Sequence, residues 1–492
     1  MASSIHDVPC QTMYFTWQRK RKMASSIHDV PCQTMYFTWQ RKRKMASSIH
    51  DVPCQTMYFT WQRKRKQSKN GKDFISSLAD DILIHILSLL DLREAARTSV
   101  LSKRWRYVWA NLFDLDFGAP STLCAAGHAC KYVRLINQVV SSSLAPSIHT
   151  FRVRLPLGAS HRYDIHTWLN FAMRKNIKEL ELNLVGYSAG SSKYPFYLDS
   201  LRCYAGYPSV HSLVSLSLEG VSISGYFLES VLFNLPNLER LTMKHLNCGQ
   251  SKLNVVGDSL KLRHLEISFC YNYTELEISA KNLCSFVYHG DKEDVKFSHV
   301  PLLSEASLVG SHSVHTIRSL HDSGFLCQLA KLKLLMLEIQ DFIQSPIQFP
   351  QCRNLKQLDF TFYGGAHSLL FFTNLIDACP VLHEFKLQRI FNYNSHYHEV
   401  PGGNAIKVAE KHHHCLKIFE MVGFHGIPVD IELVLYLAQF AVLFEKVILD
   451  PHLPDHGGKP SFRNTCEQIE ASRKQAKLLQ SQLPARVLMK VL

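Results

Sequence analysis

At 492 residues and 56.3 kDa, with 46% hydrophobic and 11% aromatic residues, the chain is too apolar to be wholly disordered and long enough for several domains or one long repeat array. No run approaches the roughly 18 uncharged apolar residues that a membrane-spanning helix needs, so no membrane partner is expected. The net charge of +14 is concentrated in residues 1–72, which hold 14 Lys/Arg against 3 Asp; the rest of the chain carries only +3.

The 22-residue unit MASSIHDVPCQTMYFTWQRKRK occupies 1–22 and recurs letter for letter at 23–44 and 45–66. Its period falls in the leucine-rich-repeat range. The unit has no LxxLxL core, however, and little to bury beyond Met13, Tyr14, Phe15 and Trp17. The expectation for 1–72 is a disordered basic tail, a solvated arm whose Arg19–Lys22 run also suits nuclear import. Nucleic-acid binding would rest on this tail alone, and the near-neutral body argues against it. The 14 cysteines are scattered with no CxxC pair, and the first residues lack an apolar signal segment. Reduced thiols in the nucleus and/or cytoplasm are therefore expected.

Residues 73–118 read as three short helices. Ser77 with Asp80 has capping-box spacing, and Asp80 and Asp81 suit a helix N-terminus. Leu78, Ile82, Ile86 and Leu90 form an i, i+4 stripe that Leu83 and Leu87 widen. Leu92 to Leu101 predicts a second helix. Ser102 predicts the cap of a third, carrying Trp105, Val108, Trp109 and Leu112. So small a segment cannot hide that much apolar surface, and each Leu, Ile or Trp left in water forgoes roughly 1.5–3 kcal/mol.

The pattern Leu78-x3-Ile82-x3-Ile86-Leu87-Ser88-x-Leu90, followed by Glu94-Ala95-Ala96-Arg97 and Leu101-Ser102-Lys103-Arg104-Trp105-Arg106-x-x-Trp109, resembles an F-box. It is most similar to that of plant F-box/leucine-rich-repeat proteins. The resemblance implies docking on the SKP-family adaptor and, through it, the cullin of SCF ubiquitin ligases. The implied contacts are Leu78, Ile82, Leu87, Leu90, Leu101, Ser102, Trp105 and Trp109. The family usually has Leu-Pro where this chain has Leu78-Ala79, and Pro or Ser near Asp91-Leu92.

Residues 119–411 predict an irregular leucine-rich-repeat solenoid with parallel strands, giving an α/β fold overall. The LxxLxL core starts at Ile177 and recurs from Leu213, Leu238, Leu262, Leu283, Leu303, Leu334, Leu355, Leu382 and Leu416, at intervals of 20–36 residues. Residues 412–451 are similar to the FBD-type region that closes many such proteins. They are expected to run strand 416–421, loop, helix 430–441 and strand 444–449 as a C-terminal cap. Residues 452–492 are expected to be a tail with one helix at 464–482.

Neither His412-His413-His414-Cys415 nor Cys124, His128 and Cys130 has the spacing of a zinc site, so no metal or other cofactor is expected. No GxSxG, HExxH, P-loop or GxGxxG motif occurs, and no catalytic residue is assigned. The resemblance implies a non-catalytic substrate receptor with an unknown protein substrate; the alternative is a repeat scaffold with a degenerate F-box, which the Ala79 departure favours.

Overall fold

The computed structural model describes residues 13–16, 57–60, 74–118, 129–185, 211–290, 295–310, 313–336, 351–363, 369–390, 412–452 and 465–492. Of the repeated N-terminal units, it describes only β1 (Met13–Thr16) and β2 (Met57–Thr60), which pair in parallel with Met13 opposite Met57. The rest of the basic tail, and with it the expectation of disorder, lies outside the described residues. The chain divides into two compact units, Met1–Phe196 with Cys203–Leu216, and Tyr197–Arg202 with Ser217–Leu492.

In the first unit, α1 (Asp80–Ser88), α2 (Leu92–Thr98) and α3 (Lys103–Ala110) precede β3 (Asp114–Gly118), α4 (Ala129–Ser142), β4 (Thr150–Arg154), α5 (Arg162–Arg174) and β5 (Glu179–Asn183). Strands β3, β4 and β5 pair in parallel, with Leu115 opposite Phe151 and Phe151 opposite Leu180. Period-two alternation turns Leu115, Phe117, Phe151, Val153, Leu180 and Leu182 inward, all buried. With Leu112, Ile148 and Ile177 buried three residues ahead of each pair, the LxxLxL frame begins two repeats before Ile177. The first of these overlaps the helical segment, and the second is written in Ile, Phe and Val instead of Leu.

The division between units falls within β6 (Ser215–Glu219). The second unit continues with α6 (Gly225–Asn234), β7 (Arg240–Lys244), β8 (Asn247–Val256), β9 (His264–Ser268), β10 (Tyr271–Ser279), β11 (Ser285–His289), β12 (Val295–His299), β13 (Glu305–Val309) and α7 (Ser313–Asp322). Then come β14 (Lys331–Met336), β15 (Gln357–Tyr363), α8 (Phe372–Asp377), β16 (Glu384–Ile390), β17 (Ile418–Val422), α9 (Pro428–Phe440), β18 (Lys446–Asp450), α10 (Cys466–Gln480) and β19 (Leu488–Val491). Its main sheet runs β7-β9-β11-β13-β14-β15-β16-β17-β18-β19, with neighbouring strands parallel throughout. Between β7 and β13 the return segments are strands instead of helices, and β8, β10 and β12 stack into a second parallel sheet.

One repeat frame needs correction. Leu332 lies opposite Ala306 and Leu358, and Leu334 opposite Leu308 and Phe360. The unit is therefore Leu329-x-x-Leu332-x-Leu334, not the frame starting at Leu334, whose Leu337 and Ile339 lie outside the described residues. Leu303, Leu329 and Leu355 are then evenly 26 residues apart.

The C-terminal elements follow the predicted order within two residues. Helix α10 opens on a full capping box between Thr465 and Gln468. It buries Ser472, Ala476 and Leu479, and it lies close enough to the 423–426 loop that a Cβ on Gly426 would stand 2.5 Å from the Gln475 side chain. The sequence pattern missed β19, which adds to the sheet edge beside β18.

Candidate functional site

The three helices are short, so few positions are available to hold them together. Leu83 and Leu87 from α1, Ala95 and Ala96 from α2, and Trp105, Val108 and Trp109 from α3 form the buried core. Asp91 caps α2 by accepting the Glu94 backbone N–H at 2.7 Å, and Ser102 caps α3 by accepting that of Trp105 at 3.3 Å. Ser77 does not cap α1: its hydroxyl donates to the Phe74 carbonyl at 2.6 Å, and the N-cap is Ala79, which has no side-chain oxygen. Arg104 ties the start of α3 to the start of α1, donating to the Asp80 carboxylate at 2.8 Å and to the Leu78 carbonyl.

This packing sorts the eight implied contacts into two groups. Leu87, Trp105 and Trp109 are buried inside the chain, in the core of the three helices. Ile82, Leu90, Leu101 and Ser102 are exposed and Leu78 is half-buried. Beside them lies exposed Ile86 of the motif, and the structure adds Phe74, Ile75, Leu89 and Val100, which the motif alone did not single out. At 100° per residue, Ile82 and Ile86 share one stripe of α1, flanking the Leu83/Leu87 stripe that faces the core, and exposed Leu89 and Leu90 follow directly after the helix. Leu89 is 74% exposed and Leu101 58%. Contiguous exposed apolar surface of this kind is uncommon on monomeric soluble proteins.

The repeat strands carry a different kind of surface. Their outward positions are polar and paired across strands. In the first unit Arg152 reaches Glu179 at 2.7 Å and Glu181 at 3.5 Å, while Arg154 meets Asp116 at 3.0 Å and Glu181 at 2.6 Å. Hydrogen bonding to Glu181 raises the Arg154 pKa further, against the opposing effect of burial. In the second unit Lys244 pairs with Glu266 at 2.8 Å and Lys386 with Glu420 at 2.6 Å. Such cross-strand pairs fix register and leave a nearly charge-balanced face.

Among the described residues no group of three or more His, Cys, Asp or Glu side chains is placed to hold a metal ion. His413 is buried against Asp377 at 3.4 Å, whereas Cys124 and His128 lie outside the described residues. No described helix is long and apolar enough to cross a membrane.

Comparison with known proteins places these two surfaces in context. The family model described as At1g61320/AtMIF1, LRR domain, matches residues 147–482, and the F-box domain model matches residues 75–114. An Arabidopsis thaliana F-box/LRR-repeat protein, At5g02910, is 34% identical over 41% of this chain and 44% of its own length. The Arabidopsis F-box/FBD/LRR-repeat protein At1g13570 is 30% identical over 48% of this chain and 53% of its own length. The chain thus spans about half the length of these two relatives. A third, the F-box/FBD/LRR-repeat protein At4g26340, is 26% identical over 83% of this chain and 99% of its own length.

Proposed function

Because the chain belongs to the plant F-box/leucine-rich-repeat proteins, we propose that it is the substrate-receptor subunit of an SCF-type E3 ubiquitin ligase. In this reading the three helices dock on the SKP-family adaptor, and through it the cullin, while the repeats hold a protein substrate. The subunit does no bond chemistry itself. It raises the effective concentration of a substrate lysine near a charged conjugating enzyme. The nucleus and/or cytoplasm is the proposed place of action.

The observation that carries the reading is the exposed apolar side chains of Ile82, Ile86, Leu89 and Leu90, with Val100 and Leu101, on a helical unit whose own core is already filled by Leu87, Trp105 and Trp109. Fully burying a Val, Leu or Ile side chain is worth about 1.5–3 kcal/mol. The test is co-purification of the full chain with an SKP-family adaptor. Leu89→Glu combined with Leu101→Glu should lower capture by about 30-fold or more, with the circular dichroism spectrum unchanged because both side chains are solvent-facing. If the unsubstituted chain never captures the adaptor, the rival reading of a repeat scaffold with a degenerate F-box replaces this one.

A further inference from the structure

The repeated N-terminal unit holds one stretch unlike the rest of it. Gln11 to Gln18, Gln-Thr-Met-Tyr-Phe-Thr-Trp-Gln, is uncharged, contains neither Pro nor Gly and is rich in residues that favour strands. Pro9 lies just before it, the basic run Arg19–Lys22 ends it, and the same stretch returns at 33–40 and 55–62. Short segments of this composition stack on copies of themselves.

The structure pairs two of the three copies. Strands β1 and β2 run parallel and in register, so Met13, Tyr14, Phe15 and Thr16 lie opposite Met57, Tyr58, Phe59 and Thr60, each residue facing its own counterpart. The two strands form a sheet of their own, separate from the repeat sheets. A two-stranded ribbon is marginal in water, and three or more strands are needed for independent stability. An in-register stack of identical strands also has no natural end. Whichever copy adds to an edge, the chain's own middle copy at 35–38 included, presents the same edge and the same unpaired backbone groups again. The segment that fits that edge is the same segment of a second chain.

We propose that the N-terminal units join copies of this chain through parallel, in-register strands built on Met13–Thr16 and Met57–Thr60. Charge sets a limit on growth. Both strands run in the same direction, so both leave the ribbon at one end, three residues before Arg19 and Arg63. Each added chain brings the 14 Lys/Arg and 3 Asp of residues 1–72 to a stack whose strands stand about 4.8 Å apart. Repulsion between exposed charges reaches roughly 30 Å, or about six strands, at 0.01 M salt, and roughly 10 Å, or about two strands, at 0.1 M. Association therefore strengthens as salt rises, the reverse of a contact held by opposite charges.

Sedimentation velocity of the full chain tests this, beside a variant carrying Phe15→Pro, Phe37→Pro and Phe59→Pro. Proline removes a ladder donor from each copy, and the melting temperature should not move because β1 and β2 share no sheet with the repeats. The parent should sediment above its monomer mass of 56.3 kDa, more so at about 0.1 M salt than at about 0.01 M. The proline variant should need a concentration about 10-fold higher or more to associate. Isoleucine at the same three positions keeps the strand preference, so that variant should associate as the parent does. The proposal is overturned if the parent stays a monomer at both salt concentrations, as it would if its own middle copy closed the ribbon. It is overturned too if association falls with salt, or if the isoleucine variant is as weak as the proline one. A proline variant that associates like the parent would assign the contact to the exposed apolar side chains of the three helices and overturn it equally.

Discussion

Arg389 in β16 and Asp430 in the first turn of α9 form a buried ion pair, Nη2 to Oδ1 at 2.5 Å, with side chains 1% and 0% exposed. The other carboxylate oxygen accepts the backbone N–H groups of His425 at 3.0 Å and Gly426 at 3.1 Å. One side chain thus joins a sheet strand, the loop after β17 and a helix N-terminus, whose dipole also favours the negative charge. In a repeat array each layer depends on its neighbours, so this tie determines how the C-terminal elements seat on the sheet.

Removing one partner takes the facing charge away from a buried ionised group, which commonly costs about 3–5 kcal/mol. Asp430→Ala should therefore lower the stability of the second unit by that order, and Arg389→Met with Asp430→Leu should recover much of the loss. Urea unfolding followed by circular dichroism reads this. Tryptophan fluorescence does not, because no Trp lies beyond Trp168. A single Asp430→Ala variant as stable as the parent would show that the pair does not organise the cap.

Ala79 offers a test in the opposite direction. It has φ −65° and ψ 155°, and Leu78 before it has φ −67° and ψ 151°. Proline fixes φ near −65° and asks the preceding residue to be extended, so both requirements are already met. The carbonyl of Ala79 accepts the Leu83 N–H at 3.1 Å, a bond that proline keeps. Ala79→Pro should stabilise the three-helix segment by about 0.4–1 kcal/mol, chiefly by restricting the unfolded chain. Trp105 and Trp109 report it by fluorescence. A destabilised variant would mean that the Ala79 N–H does work the geometry does not reveal.

The helical segment and the repeat frame were legible because buried leucines at fixed spacing are a strong signal. Legibility ended where the same signal admitted two answers. In Lys331-Leu332-Lys333-Leu334-Leu335-Met336-Leu337 apolar residues recur at both parities, and only pairing of Leu332 with Ala306 and Leu358 selects the frame. From Ile82 to Leu90 every position but His85 and Ser88 is apolar, so the sequence could not separate Leu87, which fills the core, from Leu89, which faces solvent. The ring contacts of Phe269 with His245 and His289 were invisible for another reason: these residues lie 24 and 20 positions apart, and only stacked repeats bring them together.

Glu275 supplies a pH-dependent prediction on the smaller sheet. It sits on β10 between Lys252 of β8 at 2.7 Å and Lys296 of β12 at 2.5 Å. Hydrogen bonds from Lys252 and then Lys296 push its pKa down to about 2 from an ordinary 4.5. A depressed carboxyl stabilises the folded state above its unfolded pKa, and that contribution is lost as pH falls through the folded value. The Glu275 contribution should thus be full above pH 4.5, decline below it and vanish near pH 2. Glu275→Gln removes it at every pH and leaves Lys252 and Lys296 facing each other without the shared anion. Melting curves by circular dichroism should show the variant below the parent at neutral pH, with the gap closing as the solution is acidified. High salt should narrow the neutral-pH gap as well, since both lysines are largely exposed. A gap that stays constant from neutral pH to pH 2 would assign the loss to packing of the Glu275 side chain and not to its charge.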